Sequence, residues 1–585
     1  MTSPRRSKPV QALPSYAAAV LFPRAFALHR QGRLADAEAI YRQIIAAEPA
    51  HFDSVHLLGV ILHQRGDPAA AAKQIGRALQ IDPDSAIALN NCGNALLELK
   101  RYEEALGSYD RALALQPDYA DALCNRGAVL HELGRYHEAL ASCEASIAAE
   151  SGYAEAYSNR GNTLKELQRW EEAVLSCERA LALQPDFAPA HLNRANALRE
   201  LKRVEDALAS YDRAIALRPD YADAFTNRGI ALQDLKRFDE ALASFSRAIA
   251  IEPDCAEAHY QEAMCRLLIG DFEPGWRKQE WRWQSRQLKG ARREFAQPLW
   301  LGTDEIAGKT ILLHAEQGFG DTIQFARYAP LVAARGAHVV LEVQKSLRGL
   351  MQSLPGAAQV VSQGEQLPAF DVHCPLLSLP LATGTMPSVT PYLRPPEDAV
   401  VAWSERLESA RRPRVGIAWS GSATHKNDHN RSIALESFRS CLTGIEAAFV
   451  SLQPHVRSSE ATMLREAPGI VHFGGALQSF ADTAALIANL DLVIAVDTGV
   501  AHLAGALAKP TWVILPYIPD WRWLLDRDDS LWYPTMRLFR QDESRRWDSV
   551  LPRVRAALSD YVRRYLADGN SLSTAGAVQP GFGPP

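Results

Sequence analysis

"NCGNALLELKRYEEALGSYDRALALQPDYADAL", residues 91–123, decides the fold of the first half, because it returns almost unchanged every 34 residues. Gly93, Gly127 and Gly161 keep that step, Ala195 takes the next place, and Gly229 resumes the series. Ala37, Ala71, Ala105, Ala139, Ala173, Ala207 and Ala241 keep it too. So do Pro49, Pro83, Pro117, Pro185, Pro219 and Pro253, with Ser151 filling the one vacancy. A repeat of this length is a single supersecondary unit that buries its apolar face only against its neighbours. Gly or Ala where two helices cross lets the backbones approach, and a proline cannot continue the second helix of a pair. The pattern predicts units at 18–51, 52–85, 86–119, 120–153, 154–187, 188–221 and 222–255. An eighth, from 256, degenerates into "GWRKQEWRWQSRQLK". Its Trp276, Trp281 and Trp283 are expected to cover the last exposed helix face, as the end of a stacked array requires.

This period and small-residue pattern resemble the tetratricopeptide repeat (TPR), which implies an all-α solenoid with a concave groove lined by the first helix of each pair. Asn91, Asn125, Asn159, Asn193 and Asn227 share the sixth position of successive units. A carboxamide is both donor and acceptor. The column therefore reads either as a ladder for the backbone of an extended peptide or as hydrogen bonding between repeats. Protein O-GlcNAc transferases carry a similar asparagine ladder, and that likeness implies a protein or peptide acceptor in the groove. Oligomerisation through the repeats is a further expectation.

At 585 residues the chain is too long for one core. A formal net charge of −5 argues against a nucleic-acid binder. "MTSPRRSKPV" is followed by no apolar core, so no secretory signal is expected. No run reaches the roughly 18 to 20 apolar residues of a membrane span. Eight cysteines occur without a Cys-x-x-Cys pair, and Cys92, Cys124, Cys143, Cys177 and Cys255 recur at helical core positions. Buried thiols in a reducing cytoplasm explain them better than disulfides or zinc. A cytoplasmic location is therefore expected.

The Ala-rich period stops near "GARREFAQPLW", residues 290–300, and short apolar strands then alternate with helical patterns, as in parallel α/β sheets. Strand 310–314 enters the loop Gln317-Gly318-Phe319-Gly320-Asp321, a helix is expected to about Arg335, and strand 338–343 follows. A second unit opens with strand 414–419 and the polar loop "SGSATHKNDHNRSI". Its later strands are "AAFVSLQ", "GIVHFG", "LDLVIAV" and "TWVILP". The Pro- and Thr-rich stretch "TGTMPSVTPYLRPPEDAV", residues 383–400, reads as the linker between units. Two Rossmann-like halves with a cleft between them suggest a GT-B architecture.

Within "AVDTGVAHLAGALAKPTWVIL", residues 495–515, a strand ending at Val496 runs straight into a helix start. Free N–H groups of a first helical turn and the positive end of the helix dipole make a ready anion site. Gly499 lets the backbone come close, the Thr498 hydroxyl adds a donor, and His502 lies one turn in. Asp497 would repel phosphate and is better placed to cap the helix or to hold His502 or a sugar hydroxyl. The alternative is an ordinary helix cap with a half-buried histidine.

Residues 497–515 resemble the "DTG-x-x-HL-x-AAL-x-x-P" signature of the heptosyltransferase-like enzymes (glycosyltransferase family 9). That resemblance implies that Asp497, Thr498, Gly499 and His502 bind the diphosphate of a nucleotide sugar. Ser420, Gly421, Ser422, Lys426 and Arg431 fall where the family has a second phosphate-gripping loop, with either Lys426 or Arg431 neutralising the leaving phosphate. "GFGDTIQFARYAPLV" resembles the family's N-terminal "GD" loop, which implies Asp321 as general base, with Gln317, Gly318 and Gly320 beside the donor. The other reading of Asp321 is a helix cap. The loop lacks the spacing of a dinucleotide fingerprint. In "PDWRWLLDRDDSLWYPTMRLFRQ", residues 519–541, Trp521, Arg522 and Trp523 either contact the donor or form an apolar bridge that docks the C-terminal helix expected at 549–567.

The expected layout is a disordered tail at 1–17, a TPR solenoid at 18–289, and an acceptor-side Rossmann-like domain at 290–395. A nucleotide-sugar-binding Rossmann-like domain follows at 396–568, and a disordered tail at 569–585. The expected activity is inverting, metal-independent transfer of a sugar from a nucleoside diphosphate to a hydroxyl, with no resident cofactor. The acceptor is a protein recruited by the groove, or else a lipid-linked glycan. The rival class is a non-catalytic scaffold with a sensing or vestigial nucleotide-sugar pocket.

Overall fold

A computed structural model describes residues 16–286, 288–422, 427–467 and 469–568. The tail expected at 569–585 lies outside the described residues, as does most of that at 1–17, within which the first helix, Tyr16–Arg30, begins. The chain forms two compact units, Met1–Leu235 and Lys236–Pro585.

The first unit is a run of antiparallel helix pairs such as Ala86–Glu98 with Tyr102–Leu115, and Ala154–Glu166 with Trp170–Leu183. The glycine column does what its spacing predicts. A Cβ on Gly93 would stand 2.5 Å from Tyr109 Cε1; on Gly127 it would stand 2.7 Å from Cys143 Sγ, and on Gly161 2.4 Å from Cys177 Sγ. The large group on the second helix fills the space that the missing side chain leaves, which is native-density packing. Each proline stands just beyond the end of a second helix; Leu115 ends one, for example, and Pro117 follows its cap. Cys92, Cys124, Cys143 and Cys177 are buried, whereas Cys255 is half-exposed at a helix start rather than in a core.

The second unit opens with helices Phe238–Ile251, Ala256–Leu268 and Phe272–Gln279 and a short turn, Glu280–Gln284. Its first sheet comprises β1 (Thr310–His314), β2 (His338–Val343), β3 (Ala357–Ser362) and β4 (Val372–Pro375), parallel and ordered β3-β2-β1-β4. The second comprises β5 (Arg414–Ala418), β6 (Ala448–Ser451), β7 (Ile470–His472), β8 (Leu492–Val496), β9 (Thr511–Leu515) and β10 (Met536–Arg540). It too is parallel, ordered β10-β9-β8-β5-β6-β7, which is the doubly wound order. The central strands β1, β5, β8 and β9 are near-continuous buried runs because both faces are covered.

The expected helix through Arg335 is broken into Phe319–Ala326 and Ala329–Ala333, since Pro330 supplies no N–H to a continuous helix. One apolar core contains Ile311 and Leu313 from the first sheet, Val493 and Val513 from the second, and Leu267, Leu268 and Trp276 from the helical hairpin. The other face of the second sheet packs on Val554, Leu558 and Val562 of the C-terminal helix, Leu551–Ala567.

That core corrects the expectation for the degenerate repeat. Trp276 is buried in the α/β core, and Trp281 stacks on His259 with centroids 4.1 Å apart. The apolar face of the last hairpin is used to join it to the sheets, and no array end needs shielding there.

Candidate functional site

Two helix starts meet across the gap between the sheets. Phe319–Ala326 follows β1, and Gly499–Ala506 follows β8. Gly320 makes the approach possible: a Cβ there would lie 2.9 Å from His502 Cδ2. A Cβ on Gly499 would meet the Gly320 backbone, Phe319 and Phe480 only at ordinary contact distance. In the second sheet the strand order reverses between β5 and β8, so Ser420 and Asp497 both emerge at the switch point where such sheets take ligands.

Thr498 is the N-cap of its helix but makes no side-chain cap bond, and its buried Oγ1 has no partner among the described groups. Asp497 is therefore not the cap. Its carboxylate stands 4.0 Å from His502 Nε2, and its carbonyl accepts a hydrogen bond from Arg431 Nη1 at 3.1 Å. Burial and the neighbouring Asp520 push the Asp497 carboxyl up to about 6, with the Trp523 indole, Arg431 and Arg522 pulling the other way. His502 is held well below the ordinary imidazole value by burial and by Arg522, Arg327 and Arg431, so the ring is neutral. Its Nδ1 lies 3.1 Å from the Tyr533 hydroxyl, and Trp523 stacks on its face.

The 420–431 side is braced from beneath. Gln453, at the end of β6, accepts from the Trp419 and Ser420 N–H groups at 3.0 and 3.2 Å and donates to Ser420 Oγ at 2.8 Å. The Gly421 N–H donates to Ser432 Oγ, which donates to Asp428. The Arg431 guanidinium lies against Gly421, and its buried Nε has no hydrogen-bond partner among the described groups. Ser422 lies beside this loop in sequence. Lys426 lies outside the described residues.

Asp321 both caps and pairs. Its Oδ2 reaches back to accept the Gly318 N–H at 3.0 Å, and its Oδ1 accepts from Arg522 Nη2. Arg522 also donates to Asp520 Oδ1 at 2.8 Å and to Gln324 Oε1 at 2.6 Å. Arg522 and Trp521 are buried, Trp521 against Phe325 and Trp532. The 519–541 segment thus bridges the two sheets through Arg522, and its far end also meets the C-terminal helix, with Phe539 in the core of Val554, Leu558 and Val562 and Arg553 donating to the Arg540 carbonyl. Arg540 fixes this loop by donating to the carbonyls of Arg527, Leu524 and Trp523. The segment contains one Asp-x-Asp spacing, Asp526-Arg527-Asp528, which sequence reasoning passed over. Among the described residues no cluster of three or more His, Cys, Asp or Glu side chains is arranged to hold a metal ion.

The asparagine column lies in the repeats, and each of its amides donates to the preceding unit. Asn125 donates to Asn90 and Asn94, Asn159 to Cys124 Sγ, Asn193 to Ser158 and Asn227 to Asn196, while the Asn91 amide lies 3.1 Å from His56 Nε2. These are inter-repeat bonds.

Sequence reasoning missed Asp520, Gln324, Gln453 and Tyr533, none of which has a local signature. It also missed two buried arginines. Arg327 donates to the Trp532 and Pro387 carbonyls and the Tyr392 hydroxyl, and Arg282 meets Glu316.

Models of the tetratricopeptide repeat match residues 23–86, 120–152, 154–187 and 222–255, and a TPR repeat model matches 93–134 and 195–236. The model described as glycosyltransferase family 9 (heptosyltransferase) matches residues 461–514. TPR repeats thus run across the N-terminal region, and a segment similar to family 9 glycosyltransferases lies in the C-terminal α/β region. Among curated proteins, Protein FlbA of Caulobacter vibrioides is 26% identical over 329 residues, 52% of this chain and 55% of that protein. The chain therefore spans about half the length of that relative. Among solved structures, a tetratricopeptide repeat protein from Parabacteroides merdae is 18% identical with a TM-score of 0.38, over 43% of this chain and 98% of that one. A thermophilic TPR protein of Thermus thermophilus is 26% identical with a TM-score of 0.30, over 32% of this chain and all of that one. No helix among the described residues is long and apolar enough to cross a membrane.

Proposed function

We propose that the chain is an inverting, GT-B-type glycosyltransferase that moves a sugar from a nucleoside diphosphate to a hydroxyl on a protein recruited by the repeats. The observation that carries this is the meeting of the Gly320 and Gly499 helix starts at the switch point of the second sheet, with Thr498 Oγ1 lacking a hydrogen-bond partner among the described residues and the Arg431 guanidinium, paired with Asp428, beside them. The donor diphosphate lies against the first turn at Gly499, with the Thr498 and Ser420 hydroxyls and Arg431 donating to its oxygens and Gly421 leaving room for them. The acceptor oxygen attacks the anomeric carbon from the face opposite the diphosphate. The bond to the β-phosphate breaks, and Asp321 takes the hydroxyl proton. Cationic side chains and helix N–H groups stabilise the leaving diphosphate, so the reaction runs without a bound metal. Asp321 must loosen from Arg522 as the acceptor arrives, since a carboxylate held by a guanidinium is a weak base.

That same ion pair supports the second reading, a repeat scaffold with a nucleotide-sugar pocket used for sensing. Incubation with labelled UDP-, GDP- and ADP-sugars separates the two. A transferase slowly hydrolyses one donor, and Asp321→Asn lowers that turnover by on the order of 100-fold while donor affinity is retained. Normal turnover in the variant removes Asp321 as the base; binding without turnover in the wild type leaves the sensor.

A further inference from the structure

In the first sheet the strand order reverses between β1 and β4. The crevice at such a point ordinarily receives a ligand. Here it receives Arg282, a fully buried side chain delivered by the turn Glu280–Gln284 after the last helical hairpin. Arg282 Nη2 donates to Glu316 Oε2 at 3.0 Å and Oε1 at 3.2 Å, just past β1, and to Ser378 Oγ at 2.8 Å, just past β4. Its Nη1 donates to Glu280 Oε1 at 2.7 Å, which also accepts from Ser378 Oγ. The Leu377 N–H donates to Glu316 as well.

Glu316 is one link in a loop tied at every residue. The Ala315 N–H donates to the Glu342 carbonyl at 3.0 Å, and Gln363 donates to the Ala315 carbonyl at 2.9 Å. Gln344 donates to the Gln317 carbonyl at 2.8 Å. The Gly318 N–H then donates to Asp321 itself. We propose that Arg282 is a positioning residue for Asp321, acting through Glu316, so that the turn after the last helical hairpin is part of the catalytic apparatus. For its catalytic readout this rests on the transferase reading; for its structural readout it does not.

The charge balance fits that role. Glu316 faces Arg282 and Glu280 from the turn, Asp321 from the next helix and the Cys374 thiol of β4, and Tyr260 and Arg522 stand beside Asp321. Burial pushes the Glu316 carboxyl up to about 7 against the pull of Arg282, and Glu280 and Asp321 push the same way. Ionised Glu316 therefore grips Arg282 above about pH 7, and protonated Glu316 grips it less below.

Full-length Arg282→Met, Arg282→Lys and Glu316→Gln are compared by hydrogen–deuterium exchange over residues 315–321 and by donor turnover against pH. Arg282→Met should speed exchange there and lower kcat by on the order of 100-fold, with donor KM nearly unchanged. Arg282→Lys should restore part of both. Wild-type turnover should rise through about pH 7, and Glu316→Gln should abolish that limb. Unchanged exchange in folded variants overturns the proposal, and so does faster exchange with unchanged kcat. Should the wild type turn over no donor, the transferase reading falls, and exchange alone decides whether Arg282 holds the loop. If Arg282→Met does not fold, the Lys and Gln variants carry the comparison.

Discussion

Arg522 donates at once to Asp321, Asp520 and Gln324, and it is nearly sealed from solvent. Removing one partner of a buried ion pair leaves the other charge stranded, so Arg522→Gln should destabilise the second unit by about 3–5 kcal/mol, read from urea unfolding. A loss under about 1 kcal/mol would show that the aspartates find water instead. Titration of this region has two opposed senses. His502 sits below its ordinary value, so its contribution is present above about pH 6.5 and is lost as the pH falls. Asp497, at about 6, and Glu316, at about 7, sit above theirs, so their contributions hold at low pH and are lost as the pH rises through those values. The sequence showed Asp497, Thr498, Gly499 and His502 because a strand running into a glycine-led helix start is a local pattern. It hid Arg522's role, because the partner Asp321 is about 200 residues away.

At the level of elements, the crossing of paired helices is the most constrained feature of the first unit. Gly161→Ala places a Cβ about 2.4 Å from the buried Cys177 sulfur and 3.2 Å from the Ala173 carbonyl oxygen, so one helix must shift. A cost of about 1–3 kcal/mol is expected, measured as a lowered unfolding midpoint of the repeats. A change within about 0.5 kcal/mol would mean the crossing has slack. The period, the glycine column and the helix ends were legible because each repeat restates the same local rule. The asparagine column was legible only as a position. Whether its amides face a peptide or the preceding repeat depends on residues such as Asn90, Cys124 and Ser158, one place earlier in that repeat, whose identity varies.

For the molecule as a whole, the compact units divide at Leu235, inside the repeat array, and the last hairpin shares its core with both sheets. A fragment beginning at Lys236 should therefore unfold in one cooperative transition, whereas one beginning at Gly290 loses Leu267, Leu268, Trp276 and Arg282 and should not. Calorimetry of the two fragments checks this; a cooperative shorter fragment would show the hairpin to be dispensable. The change of grammar near residue 290 was visible in the sequence, but the packing of the preceding hairpin was not, since its tryptophans fit an exposed array end equally well. The four consecutive anchors on residues 315–318 carry a consequence for chain length. Each residue added along an extended backbone moves its successors by roughly 3.3 Å, and this short connection has no unanchored residue to take up the excess. A one-residue insertion between His314 and Gly318 would shift the cap and Asp321 together, keeping their own contact but carrying the carboxylate away from Arg522, so in any variant of this chain that keeps the site, the distance in sequence from strand to helix is held constant.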